Sequence, residues 1–188
     1  KHDPSIYGKV DKPQFMWAGG WYLHSLYHLL GLRENEWNIS FDPYLIEGQN
    51  AAQLNLFVNG KNILVKIEGQ GDQVKNIKFD GKNYPSLVFP EQISKVEKIE
   101  IELGKPDAPY LFSTNSMLAS CQYIPNSTRM NLNLKAFASH ENRSIVISPR
   151  QPKKIVLNND KIVEKWEAEA KNGVYYIEFQ FAHQASED

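Results

Sequence analysis

The chain has 188 residues, 41% of them apolar and 23% charged, with a formal net charge of −1. This balance suits a folded chain that buries roughly 70% of its surface, argues against disorder, and provides no basic field to hold a nucleic acid backbone. No apolar run approaches the roughly 20 residues that span a bilayer, and the single cysteine, Cys121, can form neither an internal disulfide nor a thiolate-rich zinc site.

The chain opens on Lys1 without a signal-like apolar stretch, which reads as a processed product or a piece of a longer polypeptide. With the lone cysteine, this favours a cytoplasmic location. Three N-glycosylation acceptors, Asn38-Ile39-Ser40, Asn126-Ser127-Thr128 and Asn142-Arg143-Ser144, point weakly towards secretion.

Apolar spacing predicts a helix over residues 16–30, with Pro13 just upstream and Gly31 suited to the left-handed position that ends it. Tyr22, Leu26, Leu29 and Leu30 form one apolar face, and Trp17, Trp21, Ser25 and His28 lie on its neighbour. Such a helix has no obvious wet side, so it is expected to pack against further protein. A second copy of this chain, forming a symmetric dimer, is one candidate.

Beyond Leu32 the period changes to two. Leu54, Leu56 and Val58 alternate with polar residues, as do Ile63, Val65 and Ile67, with Asn59-Gly60 between them as a hairpin turn. Ile77 and Phe79 precede a second hairpin signal, Asp80-Gly81, and Ile99, Ile101 and Leu103 follow. Residues 105–129 read as a connector, holding either irregular chain or a short helix around Ser116–Cys121. Alternation resumes at Met130, Leu132 and Leu134, then at Ile145 and Ile147, Ile155 and Leu157, and Tyr175 to Phe181, with Asn158-Asn159 as a further turn.

A shift of 78 residues superposes Ile77 and Phe79 on Ile155 and Leu157, Val88 on Trp166, and Ile99 and Ile101 on Ile177 and Phe179. This predicts two related strand units, 35–104 and 130–182, between an N-terminal segment 1–34 and a tail 183–188. The expected fold is mainly β, an immunoglobulin-like antiparallel sandwich with one N-terminal helix. Ile77, Phe79, Ile99, Ile101, Ile155, Leu157, Ile177 and Phe179 are expected to face inward.

Candidate chemistry is sparse. His24 and His28 are four residues apart and can share a helix face, but a metal needs a third ligand and Ser25 stands where a zincin has its glutamate. They read as core or interface histidines, or as the polar wall of a sugar-sized pocket. Glu34, Glu36 and Asp42 lie close in sequence, with nothing to place two of them across a cleft for glycosidic acid–base chemistry. Ser40, Ser116 and Cys121 lack the context of an activated nucleophile. Gly69-Gln70-Gly71-Asp72 reads as a turn, not a phosphate loop. Trp37, Tyr84, Tyr110 and Trp166 could stack on a sugar, although Trp166 is expected to turn inward. No catalytic residue, cofactor or metal is expected. Candidate sugar or interface contacts are Trp17, Trp21, His24, His28, Trp37 and Trp166.

One resemblance goes further. The stretch Phe15–Leu32 (FMWAGGWYLHSLYHLLGL), followed by Ile39–Leu45 (ISFDPYL), resembles the C-terminal end of six-hairpin glycosidases and sugar phosphorylases. It is most similar to the cellobiose- and maltose-phosphorylase groups and their debranching and α-L-rhamnosidase relatives. The strand segment Val74–Lys82 (VKNIKFDGK) is similar in pattern to a hairpin of those enzymes. The resemblance implies that the helix closes an (α/α)6 catalytic barrel and that the strands form the β-sandwich behind it. The catalytic acids of the family belong to the barrel, so none maps onto this chain. The chain is then a non-catalytic C-terminal portion of a carbohydrate-active enzyme, with the barrel as its partner. An independent carbohydrate-binding module and an immunoglobulin-like adhesion or assembly module remain alternatives.

Overall fold

The computed structural model describes residues 18–22, 24, 25, 28, 31–34, 37–58, 60–135, 141–157, 161–163 and 165–182. The described residues between 18 and 28 are helical and exposed. Met16 and Trp17, the expected start of the helix, lie outside the described residues. The helix ends as its sequence predicts. Gly31 takes φ +84° and its amide bonds the His28 carbonyl at 3.0 Å, while its own carbonyl accepts from Asp42 N at 2.7 Å. A Cβ at Gly31 would lie 2.2 Å from the Asp42 carbonyl oxygen, so both the backbone angle and the close approach require glycine.

From there the chain is strand. β1 (Leu32–Glu34) pairs antiparallel with β2 (Ile39–Phe41). β3 (Ala51–Val58), β4 (Lys61–Gly69), β5 (Val74–Phe79), β6 (Lys82–Asn83) and β7 (Lys98–Leu103) make a five-stranded sheet ordered β3-β4-β7-β5-β6. The two expected hairpins are there. Val58 pairs with Lys61 around Gly60, whose neighbour Asn59 is outside the described residues, and Phe79 pairs with Lys82 around Asp80 and Gly81, both at positive φ. Asp80 Oδ1 also accepts the amides of Glu97 and Lys98, tying this turn to the start of β7. Because side chains alternate across a strand, Leu54, Leu56, Ile63, Val65, Ile67, Ile77, Phe79, Ile99, Ile101 and Leu103 all go inside. The opposite face is a ladder of lysines and glutamates, with Lys75 bonded to Glu102 at 2.7 Å and Lys98 to Glu100 at 2.6 Å.

The connector region holds two strands and one short 3-10 turn, Pro125–Ser127. β8 (Tyr110–Thr114) and β9 (Met117–Ile124) occupy it, so the short helix entertained for Ser116–Cys121 is replaced by a strand. Leu118 and Cys121 there are core residues, three apart because the strand is irregular between them: its register with β10 (Arg129–Lys135) slips at Asn133/Leu134. A helix reading of that spacing was a natural consequence of the slip. The remaining strands are β11 (Glu141–Ser148), β12 (Val156–Leu157), β13 (Lys161–Ile162), β14 (Trp166–Lys171) and β15 (Val174–Ala182). A second sheet runs β14-β15-β11-β8, with β9–β10 and β12–β13 as separate two-stranded pairs. Asn172-Gly173, both at positive φ, turns β14 into β15. This hairpin was not among those expected, although its Asn-Gly pair is the same signal. The Asn158-Asn159 turn lies outside the described residues.

The 78-residue offset does not extend to strand pairing. β4 runs parallel to β7, whereas β11, its counterpart, runs antiparallel to β15. β5 pairs with β7, whereas β12 pairs with β13. Alternation reports only that one face of a strand is buried, and that pattern is the same for either direction of neighbour. Six of the eight residues expected inside are buried, Ile155 is half-buried, and the exposure of Leu157 lies outside the described residues.

Two apolar cores result. The first, under the five-stranded sheet, also receives Tyr110, Ile147 and Val174 from the second sheet. The second lies between the other face of that sheet, with Val146, Ile177 and Phe179, and the β9–β10 pair. The segment Pro85–Phe89 runs between them. Its Leu87 amide bonds Leu111 O at 2.9 Å, and Leu87 O accepts from Phe41 N at 2.9 Å, so it joins β2 to β8. Among the described residues the architecture is mainly β, with one N-terminal helix and several sheets whose paired strands are antiparallel except for β4–β7.

Candidate functional site

Three of the singled-out residues converge on the helix. Trp21 meets His24 edge-on at 5.9 Å between ring centroids, and His24 meets His28 in the same way at 4.2 Å. Trp21 is 58% exposed and its neighbour Tyr22 70%. Arg33, from β1, reaches back to donate to the His28 carbonyl at 2.9 Å and lies 3.3 Å from His28 Nδ1. The helix end and β1 are therefore joined by a side chain as well as by Gly31. The same guanidinium pairs with Asp42 at 3.4 Å. The result is an exposed aromatic and imidazole face whose C-terminal end is held to the β1–β2 pair.

The other candidates lie apart. Trp37 is 42% exposed in the turn between β1 and β2. Trp166 stands opposite Phe179 in the β14–β15 ladder and packs half-buried on the second core, as its inward reading implies. Trp17 and Glu36 lie outside the described residues. Glu34 is exposed at the end of β1, and Asp42 is engaged by Arg33. Among the described residues, no group of three or more His, Cys, Asp or Glu is placed to hold a metal ion, and no helix is long and apolar enough to cross a membrane.

Cys121 donates its thiol to the Pro85 carbonyl at 3.2 Å, and burial pushes its pKa up to about 12. A thiol so far from ionising at neutral pH is a packing group, not a nucleophile. Ser116 and two of the glycosylation asparagines belong to a buried polar cluster. Asn38 donates to the carbonyls of Ser116 at 2.8 Å and Thr114 at 3.1 Å, Ser116 Oγ donates to Asn142 Oδ1 at 2.8 Å, and Thr114 shares a 2.8 Å bond with Ser144. With Asn38 7% and Asn142 1% exposed, the folded chain has no room for a glycan on either. Of the three acceptors, Asn126 alone is exposed, in the turn after β9.

Sequence reasoning passed over one concavity. A groove of about 1550 Å³ opens between β10 on one side and residues 148–156 on the other, floored by Val146, Ile177, Phe179 and Phe181. Every residue from Arg129 to Leu134 borders it. Because successive side chains of a strand point to opposite faces, contact with both parities places the backbone edge of β10 at the groove. The facing wall carries Arg150, Lys153 and Lys154, with Asp107 the lone carboxylate at the rim. The Arg150–Lys154 run, three cations around Pro152, was the available signal, but in sequence it is indistinguishable from a solvated loop. A smaller cavity of about 220 Å³ lies beside Tyr84, Pro85 and Tyr110. No known protein family, curated protein or solved structure matches the chain.

Proposed function

We propose that this chain is a non-catalytic, β-rich accessory portion of a carbohydrate-active enzyme, with its aromatic helix as the surface that seats against a helical catalytic domain. One observation carries the reading: the helix presents Trp21 and Tyr22 to the outside while Gly31 and Arg33 hold its end to the strands. A large apolar side chain gains roughly 1.5 to 3 kcal/mol when it is fully buried, so such a face favours a covered state. The described residues of the two stretches that resemble the sugar phosphorylases, 15–32 and 39–45, include those of this helix and of β2 with the turn after it. The chemistry of the remaining groups agrees with an accessory role, since Asp42 is ion-paired and Cys121 is buried. On this reading the two larger sheets stack as an immunoglobulin-like sandwich, supported by the first core, which draws side chains from both.

The test mixes the purified chain with an (α/α)6 barrel domain of the cellobiose- or maltose-phosphorylase type from which the native sandwich has been removed. The expected result is a complex in sedimentation, with Trp21 fluorescence newly shielded from a soluble quencher and the complex lost in Trp21→Ser/Tyr22→Ser. Turnover of cellobiose, maltose or an aryl rhamnoside by the chain alone, abolished by Glu34→Gln or Asp42→Asn, overturns the reading.

A further inference from the structure

The groove beside β10 has the features of a strand-accepting site. β10 is seven residues long and lies in a two-stranded sheet whose only other member, among the described residues, is β9. One edge of β10 is paired with β9, and the other meets the groove. An edge of this kind offers amides and carbonyls at the spacing of an extended chain. The floor below it, Val146, Ile177, Phe179 and Phe181, is apolar, and Met130, Leu132 and Leu134 on β10 are only half-buried beside it. The walls carry Arg129, Arg150, Lys153 and Lys154 against the single Asp107, and none of the ion pairs among the described residues engages these four cations.

We propose that this groove binds an extended acidic peptide segment of a partner protein, added as a strand to the edge of β10. Alternate apolar side chains of the guest lie on the Ile177–Phe179–Phe181 floor, and its carboxylates meet the cations on the walls. Main-chain bonding supplies affinity and alternate side-chain positions supply selectivity, as in other strand-addition interfaces. Matching the length of β10 requires about seven guest residues, spanning about 24 Å at strand rise. Charge complementarity selects an acidic guest. The strand edge selects a peptide over a single-tailed amphiphile, because an alkyl chain in the groove would leave those amides facing hydrocarbon.

The test uses fluorescein-labelled synthetic peptides in anisotropy titrations against the full chain. A peptide alternating valine with threonine and ending in glutamates is expected to bind with Kd of about 10 to 100 µM. A version ending in lysines should bind at least about tenfold more weakly, and Arg150→Glu/Lys153→Glu should reverse that preference, circular dichroism confirming that the variant is folded. N-methylation of alternate amides on one edge of the peptide should weaken binding at least about tenfold, while methylation on the other edge leaves it within about twofold. Equal sensitivity at both edges, or no binding at about 1 mM peptide, overturns the proposal. So does binding of laurate where the peptide fails, which assigns the groove to an amphiphile. A chain dimer in sedimentation that excludes the peptide overturns it in favour of a second copy.

Discussion

Asn38 bonds the carbonyls of Thr114 and Ser116 from the turn before β2, so one side chain holds the N-terminal hairpin to the β8–β9 corner. Buried carbonyls that lose such a donor retain their desolvation penalty. Replacing Asn38 by leucine is therefore expected to cost about 2 to 4 kcal/mol, read as a lowered urea midpoint with unchanged slope. The titratable groups in the interior act at high pH. Burial raises the pKa of Cys121 from the ordinary thiol value of 9.0 to about 12, and raises those of Tyr84 and Tyr110 above the ordinary phenol range. Each is neutral when protonated, so below about pH 8 the folded and unfolded chains hold the same protons on these groups and stability is unaffected by them. Above that, the unfolded chain releases protons that the native state retains. Stability should fall as pH rises through 9.0 towards the folded value of Cys121, with the urea midpoint dropping steadily between about pH 8 and about pH 10.5. A midpoint that stays flat across that window contradicts the burial of these groups.

At the level of elements, the helix and the strands meet at Gly31. Its positive φ and its closeness to Asp42 leave no room for a side chain. Gly31→Ala is expected to destabilise the chain by at least about 2 kcal/mol through strain and displacement of the Asp42 peptide. The same change at Gly60, which also has positive φ but open space where a Cβ would sit, should cost less. Thermal melts of the two variants separate the steric contribution from the conformational one. The hairpins at Asp80-Gly81 and Asn172-Gly173 follow the same local rule, since two consecutive residues at positive φ match the twist of the strands they join.

Over the whole molecule, the tryptophans of the described residues divide into two classes. Trp21 and Trp37 are open to solvent, while Trp166 packs on the second core. In variants retaining one of these tryptophans at a time, acrylamide should quench Trp21 and Trp37 readily and Trp166 several-fold less. If the helix also joins copies of the chain, Trp21 quenching should fall as concentration rises, in step with a dimer in sedimentation. Concentration-independent quenching with a monomeric sedimentation profile removes self-association. The groove beside β10 lies on the strand portion of the molecule, so its peptide binding should be unaffected by Trp21→Ser/Tyr22→Ser.

Local chemistry was legible in the residues themselves. Gly31 ends the helix because only glycine relaxes at that angle. Asp80-Gly81 turns β5 into β6 because the strands need that twist. Leu54 to Val58, Ile63 to Ile67 and Ile99 to Leu103 declare their buried face through a period of two. None of these signals names a neighbour. The insertion of β7 between β4 and β5, parallel to one and antiparallel to the other, is decided by which edges remain to be paired and which faces remain to be covered. The same holds for Pro85–Phe89, whose flanking prolines read as loop although Ser86 to Phe89 are buried between β2 and β8. It holds again for the β10 groove, where Arg129 and Lys153 share one concavity although they are far apart along the chain. Periodicity is a property of one segment and its own face. Pairing, burial of connectors and the joining of cations around an apolar floor are properties of several segments at once, and only the tertiary structure decides them.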